Sequence, residues 1–192
     1  MSEFWIYLQL GFEHMTDING YDHMLFILAM IAPYAFRDFK ILAKLITAFT
    51  LGHSITLALA VFNLVSLSKY QVNFIELLIP ITILSASIMN LFKFSTRASV
   101  KYAVVAIFGL VHGLGFSNYL KAIWTPSSNL SLNLLSFNIG LELGQILFLL
   151  ICLILFLVAS RILRIAQKDQ NIFVSGGTTF ASLIIIIEKL AS

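Results

Sequence analysis

The chain has 192 residues, 59% hydrophobic and only 11% charged, with a mean hydropathy of +0.95; a soluble domain carries roughly 25% charged residues, so a water-soluble fold is excluded. The net charge of +3 comes from basic residues that stand singly or in threes between apolar runs, a membrane-topology pattern and not a nucleic-acid-binding patch. The lone cysteine, Cys152, sits inside an apolar run, so it offers neither an internal disulfide nor a cysteine metal cluster and reads as a small buried hydrophobe.

The N-terminus lacks the basic region of a secretory signal, and Gln9, Glu13 and His14 interrupt its apolar stretch, so it reads as part of the mature protein. Phe4 to Met15 forms a half-helix, broken by Thr16-Asp17-Ile18-Asn19-Gly20, in which Asn19 and Gly20 suit a cap and a break. Apolar segments follow near 21–36, 41–65, 74–92, 100–120, 132–157 and 172–187. Each except the first approaches the roughly 20 residues that span a bilayer as helix. The expected fold is all-α: a polytopic transmembrane helical bundle of about six spans in a single transmembrane domain, 1–192, with a first element that is discontinuous or re-entrant. Such an element carries the Asp22-His23 pair to membrane depth inside the protein, which lipid permits only around a cavity or site.

Lysine and arginine alternate in the connections: Arg37, Lys40 and Lys44, then Lys69, then Lys93, Arg97 and Lys101, then Lys121, then Arg161, Arg164 and Lys168, then Lys189. The positive-inside tendency makes the three-charge connections cytoplasmic and both termini external.

Depth decides which residues can meet. At 1.5 Å per residue, His53 lies roughly 14 Å and His112 roughly 16 Å from the cytoplasmic edge, Glu142 about 16 Å from the outer edge, and His23 about 21 Å from the cytoplasmic edge. Ionisable groups from four spans thus share one layer. Histidine is the commonest metal ligand, and His14, His23, His53 and His112 all fall in or beside spans. Any one of them alone could be a core histidine bonded to a carbonyl; their common depth favours a metal or proton site. In the fifth span Asn138, Glu142 and Gln145 share a helical face. An ionised Glu142 there needs a metal, a proton or a histidinium beside it, unless it is protonated and serves as interhelical glue. Thr50 and Ser54 flank His53, but neighbouring helical residues point about 100° apart, which argues against a serine nucleophile. Gly109 with Gly113, and Gly140 with Gly144, have the small-xxx-small spacing of close helix packing. Glu76, Pro80, Ser87 and Asn90 mark one side of the third span as a polar path or as mutually satisfied groups. Asp17 and Asp22 are carboxylates on the outward side that attract a cation or orient a histidine; a helix cap is the simpler job for Asp17.

Four ordered motifs resemble the HupE/UreJ family: His14 followed by Gly20-Tyr21-Asp22-His23-Met24-Leu25-Phe26; Phe49-Thr50-Leu51-Gly52-His53-Ser54-Ile55-Thr56-Leu57; Phe108-Gly109-Leu110-Val111-His112-Gly113-Leu114-Gly115-Phe116; and Phe137-Asn138-Ile139-Gly140-Leu141-Glu142-Leu143-Gly144-Gln145. The resemblance implies a bacterial inner-membrane permease for nickel or a related divalent metal, with functional residues at His14, Asp22, His23, His53, His112 and Glu142.

The expected function is therefore binding and transport of a divalent cation (nickel, cobalt or zinc) by those six residues, with Asp17, Thr50, Ser54, Glu76, Asn138 and Gln145 in supporting or path positions. Imidazole and carboxylate donors suit zinc, nickel, cobalt or iron(II), and the lack of nearby cysteine argues against copper(I). Uptake should weaken as pH falls through the histidine range, since the ligands must be neutral. The alternative is a membrane-embedded zinc hydrolase of a lipid or peptide substrate, with Glu142 or Asp22 as general base; a sensing or assembly role is a third reading. Expected partners are the lipid bilayer and the metal ion, and not nucleic acid; the glycine spacings serve internal packing as readily as contact with a second copy of the chain, so a homo-oligomer stays open.

Overall fold

The apolar runs become helices wherever they are long enough to satisfy their own backbone, as lipid requires. The computed structural model describes residues 2–17, 20–92, 97–123 and 129–191, so Ile18, Asn19 and Lys93 lie outside the described residues. The helices are α1 (Glu3–Thr16), α2 (Asp22–Ile31), α3 (Phe39–Val61), α4 (Lys69–Leu91), α5 (Ala98–Ile123), α6 (Leu130–Arg161) and α7 (Gln167–Ala191), with a 3₁₀ turn at Phe36–Asp38 before α3. Helices α3 to α7 are each long and apolar enough to cross a membrane, and the chain is a multi-pass membrane protein. Large apolar side chains such as Leu51, Leu155, Phe173 and Phe180 stand exposed along these helices, where the solvent is acyl chain.

The first crossing departs from the apolar run at 21–36: α2 has only 10 residues and α1 has 14. At 1.5 Å per residue they measure about 15 and 21 Å, too short alone for a core of about 30 Å but long enough together. They run in series. From Glu3 to Met15, α1 follows α6 in parallel from Asn133 to Gly144; beyond the break, α2 continues the same way until Ala29 meets Asn90 and Pro33 meets Gln167. The two short helices thus run in the same direction, and together with α3 to α7, each long and apolar enough to cross, they are consistent with about six spans. Asp17 forms the C-terminal cap of α1, and its carbonyl accepts a hydrogen bond from the Gly20 N–H at 3.0 Å. The opposite device starts α4, where the Ser68 hydroxyl accepts from the Gln71 N–H and the Gln71 side chain accepts from the Ser68 N–H.

Two helix pairs are packed backbone to backbone. A Cβ at Gly52 would overlap the carbonyl of Ala106, and one at Gly109 would overlap that of Phe49, so α3 and α5 lock reciprocally. Gly11 and Gly140 do the same between α1 and α6, against the carbonyls of Phe137 and Leu8. Only glycine permits this approach. The third pair, α4 with α7, is joined by side chains: Ser87 to Thr178 at 2.7 Å, Asn90 to Ser175 at 3.4 Å and Lys189 to Glu76 at 2.6 Å. The main apolar core, including Phe26, Ile27, Phe49, Ile83 and Leu141, lies where these pairs meet α2.

Candidate metal site

The break between α1 and α2 sets His14 and His23 against each other, and the α3–α5 glycine contact brings His53 and His112 beside them. Ring centroids are 4.8 Å apart for His14–His23, 5.5 Å for His23–His53, 5.0 Å for His23–His112 and 6.1 Å for His14–His53. His23, His53 and His112 are buried. Two sets of donors gather here: His14, His23 and His53, and Asp22, His23 and His112, the donor atoms within each set lying within 4.8 Å of one another. Two nitrogens bound to one ion at about 2.1 Å can be at most about 4.2 Å apart, so small side-chain shifts close either set around a cation. His23 belongs to both.

Hydrogen bonding leaves the ligand nitrogens free. Thr82 Oγ1 donates to the Ile79 carbonyl at 2.7 Å, so it accepts from His112 Nε2 at 3.0 Å. This assigns the His112 proton to Nε2 and leaves the lone pair on Nδ1. Asp22 Oδ1 lies 3.3 Å from His23 Nδ1 and fixes the complementary tautomer, with the lone pair on Nε2. Both are the device by which a hydrogen-bonded second nitrogen orients a metal-binding imidazole. His112 Nδ1, His23 Nε2, His14 Nε2 and both nitrogens of His53 are buried without a hydrogen-bond partner among the described residues. An unpartnered buried polar group costs about 1–3 kcal/mol, so five in one place mark a site that a ligand completes.

A cavity of about 820 Å³ leads to this cluster. His14, Asp22, His23 and His112 line its depth, with Ile79, Pro80 and Phe116; Glu13, Asp17, Glu76, Tyr119 and Lys189 line its outer part. Pro80 lies within α4 and has no N–H for the Glu76 carbonyl.

The remaining predicted residues divide in two. Asp17 and Glu76 face the cavity with the histidines. Glu142 belongs to neither donor set: its carboxylate accepts a 2.6 Å hydrogen bond from Thr47 on α3. Thr50 donates to Gln145 at 2.7 Å, which with the Thr47–Glu142 bond makes an α3–α6 seam apart from the cluster, while Ser54 and Asn138 bond back to carbonyls of their own helices, Thr50 at 2.6 Å and Leu134 at 2.9 Å. Sequence reasoning missed three contributors. Thr82 holds His112; Phe116 packs on His14 with ring centroids 3.6 Å apart; Lys189 pairs with Glu76. Only Lys189 had a signal, as an isolated charge beside the last span.

Comparison with protein families gives a match to the family described as HupE / UreJ protein over residues 1–188. No curated protein and no solved structure matches the chain.

Proposed function

The chain belongs to the HupE/UreJ family, and on that premise we propose that it binds a divalent cation (nickel, cobalt or zinc) as its substrate and carries it across the bacterial inner membrane. The observation that carries the reading is the cluster of unpartnered imidazole nitrogens at the depth of the large cavity. Neutral imidazole suits all three metals, and Asp22 supplies an anionic neighbour that favours a cation over a neutral ligand. His14, Asp22, His23, His53 and His112 are the proposed ligand set; Glu142 is left out of it. Because His23 is common to both donor sets, a cation held by His14, His23 and His53 can pass to Asp22, His23 and His112 without being fully released. Glu13 and Asp17 add negative charge at the mouth, where Glu76 is already paired with Lys189.

The alternating basic connections support the three-charge side as cytoplasmic, with both termini external and the cavity opening outward. The cation then enters from outside and leaves on the side of Lys101 and Arg161.

Uptake of labelled nickel, cobalt and zinc into proteoliposomes tests the reading. Saturable uptake that is lost in His23→Ala supports it. A protein that binds metal stoichiometrically but passes none would overturn transport, and would return attention to hydrolysis of a lipid or peptide bond at a bound zinc.

A further inference from the structure

Three helices line up the same sequence of surroundings along the bundle axis. On α2, His23 faces the large cavity, Phe26 lies one turn further, and Met30 lines a second, smaller cavity of about 100 Å³. On α5 the order is His112, Phe108, Lys101; on α4 it is Pro80, Ile83, Asn90. The two cavities therefore lie on one line, separated by a layer that all three helices supply.

Apart from Ile83 that layer is aromatic, and Phe49 of α3 completes it. Phe26 is only 1% exposed; its ring stacks on Phe49 at 4.9 Å, meets Phe108 edge-on at 5.9 Å, and lies 5.4 Å from His112. Phe49 in turn lies 5.1 Å from His112 and 5.9 Å from His23. Below the histidines no oxygen or nitrogen of these three side chains can replace a cation's water or ligands, whereas the second cavity, apolar over most of its lining, offers polar atoms again at Tyr34, Asn90 and Lys101. A volume of about 100 Å³ has room for roughly three waters. A short apolar layer between two cavities, each reached by polar groups, stops ions by excluding water.

We propose that Phe26, held between Phe49 and Phe108, is the barrier that closes the histidine site from the second cavity, so that a cation advances only when this ring leaves its place. The inference rests on the transport reading for its biological meaning, but the barrier itself can be measured without any metal flux. The ring lies one helical turn from His23, so it can respond to whether that histidine holds a cation.

The test is thiol accessibility in the full-length reconstituted protein with Cys152→Ser as background. Tyr119→Cys, in the large cavity, identifies the side from which a membrane-impermeant thiol reagent enters. Met30→Cys, in the second cavity, reports passage beyond the barrier. From the Tyr119 side, Met30→Cys should react slowly with Phe26 intact. It should react at least about tenfold faster in Phe26→Ala, with Phe26→Leu and Phe108→Ala between the two. Zinc binding retained by each variant shows that it is folded, and Phe26→Leu keeps the test alive if the alanine variant does not fold. An unchanged Met30→Cys rate in folded variants that still label at Tyr119→Cys would overturn the barrier. Faster labelling with no nickel or zinc flux in any variant would uphold the barrier and overturn the transport reading.

Discussion

The histidine cluster and the α3–α6 seam are both polar inclusions in a lipid-solvated bundle, yet they obey opposite rules. In the seam, Glu142 takes the Thr47 hydroxyl, Gln145 takes that of Thr50, Ser54 and Asn138 bond back to their own helices, and Asn138 Oδ1 is the one buried seam atom left without a partner among the described residues. In the cluster, five imidazole nitrogens have no partner and a cavity leads to them. The difference teaches how to read buried polarity in a membrane protein. Partnered groups join helices at about 0.6 to 1.7 kcal/mol per contact; unpartnered groups beside a cavity are held ready for a ligand. Even the two bonds the cluster does make, Thr82 to His112 and Asp22 to His23, occupy the nitrogen that a metal would not use.

The largest effect expected of any substitution comes from the frame beneath the cluster. Gly109→Leu drives a side chain into the Phe49 carbonyl, separates α3 from α5, and should abolish both detergent-stable protein and metal binding, as size-exclusion chromatography and elemental analysis would read. Next is the residue common to both donor sets. His23→Ala should weaken zinc or nickel binding by about a thousandfold, near 4 kcal/mol, against about thirtyfold for His53→Ala or His112→Ala; equal losses from all three in calorimetric titration would break the idea of two sets meeting at His23.

Acidification acts on the same lone pairs. Protons compete with the cation for the imidazole nitrogens, so acid should weaken binding and a return to neutral pH should restore it, as zinc titrations at several pH values would read. The same change should leave the seam's contribution to thermal stability largely intact, which a melting curve of the metal-free protein would reveal. Thr82→Val should cost about tenfold in affinity by freeing His112 to rotate. Glu142→Gln should change affinity by less than about threefold, since its contact is with Thr47; a hundredfold loss there would bring Glu142 back into the ligand set.

Much of this was legible in the sequence, through two rulers. Apolar length located the helices, and the polar run Thr16-Asp17 to Gly20 marked the broken crossing. Counting residues from the charged connections put His23, His53, His112 and Glu142 at similar height, and the three histidines do meet. Glu142 shows where that ruler fails: height along a helix axis says nothing of the direction around it. Its i, i+4 and i+7 neighbours defined a face but not which helix the face would meet, and α3 presents Thr47 and Thr50 there. Thr82 was invisible for a related reason, being an ordinary helical threonine whose role exists only because His112, 30 residues on, packs opposite. The short α2 was misjudged because the apolar residues of 32–36 look like span, although Pro33 and the turn before α3 end the helix at Ile31.

The reciprocal glycine contacts also decide where this molecule can yield. A carbonyl seated on a glycine leaves no space for a side chain between the helices, so the spacing of α1 with α6 and of α3 with α5 is fixed by those contacts. Hydroxyl contacts such as Ser87 with Thr178 can trade partners along a helix at little cost. Among the described contacts, those between α4 and α7, which carry Glu76, Pro80 and Lys189, are of the kind that can exchange. A crosslink between these two helices should freeze the molecule while leaving its folded architecture untouched.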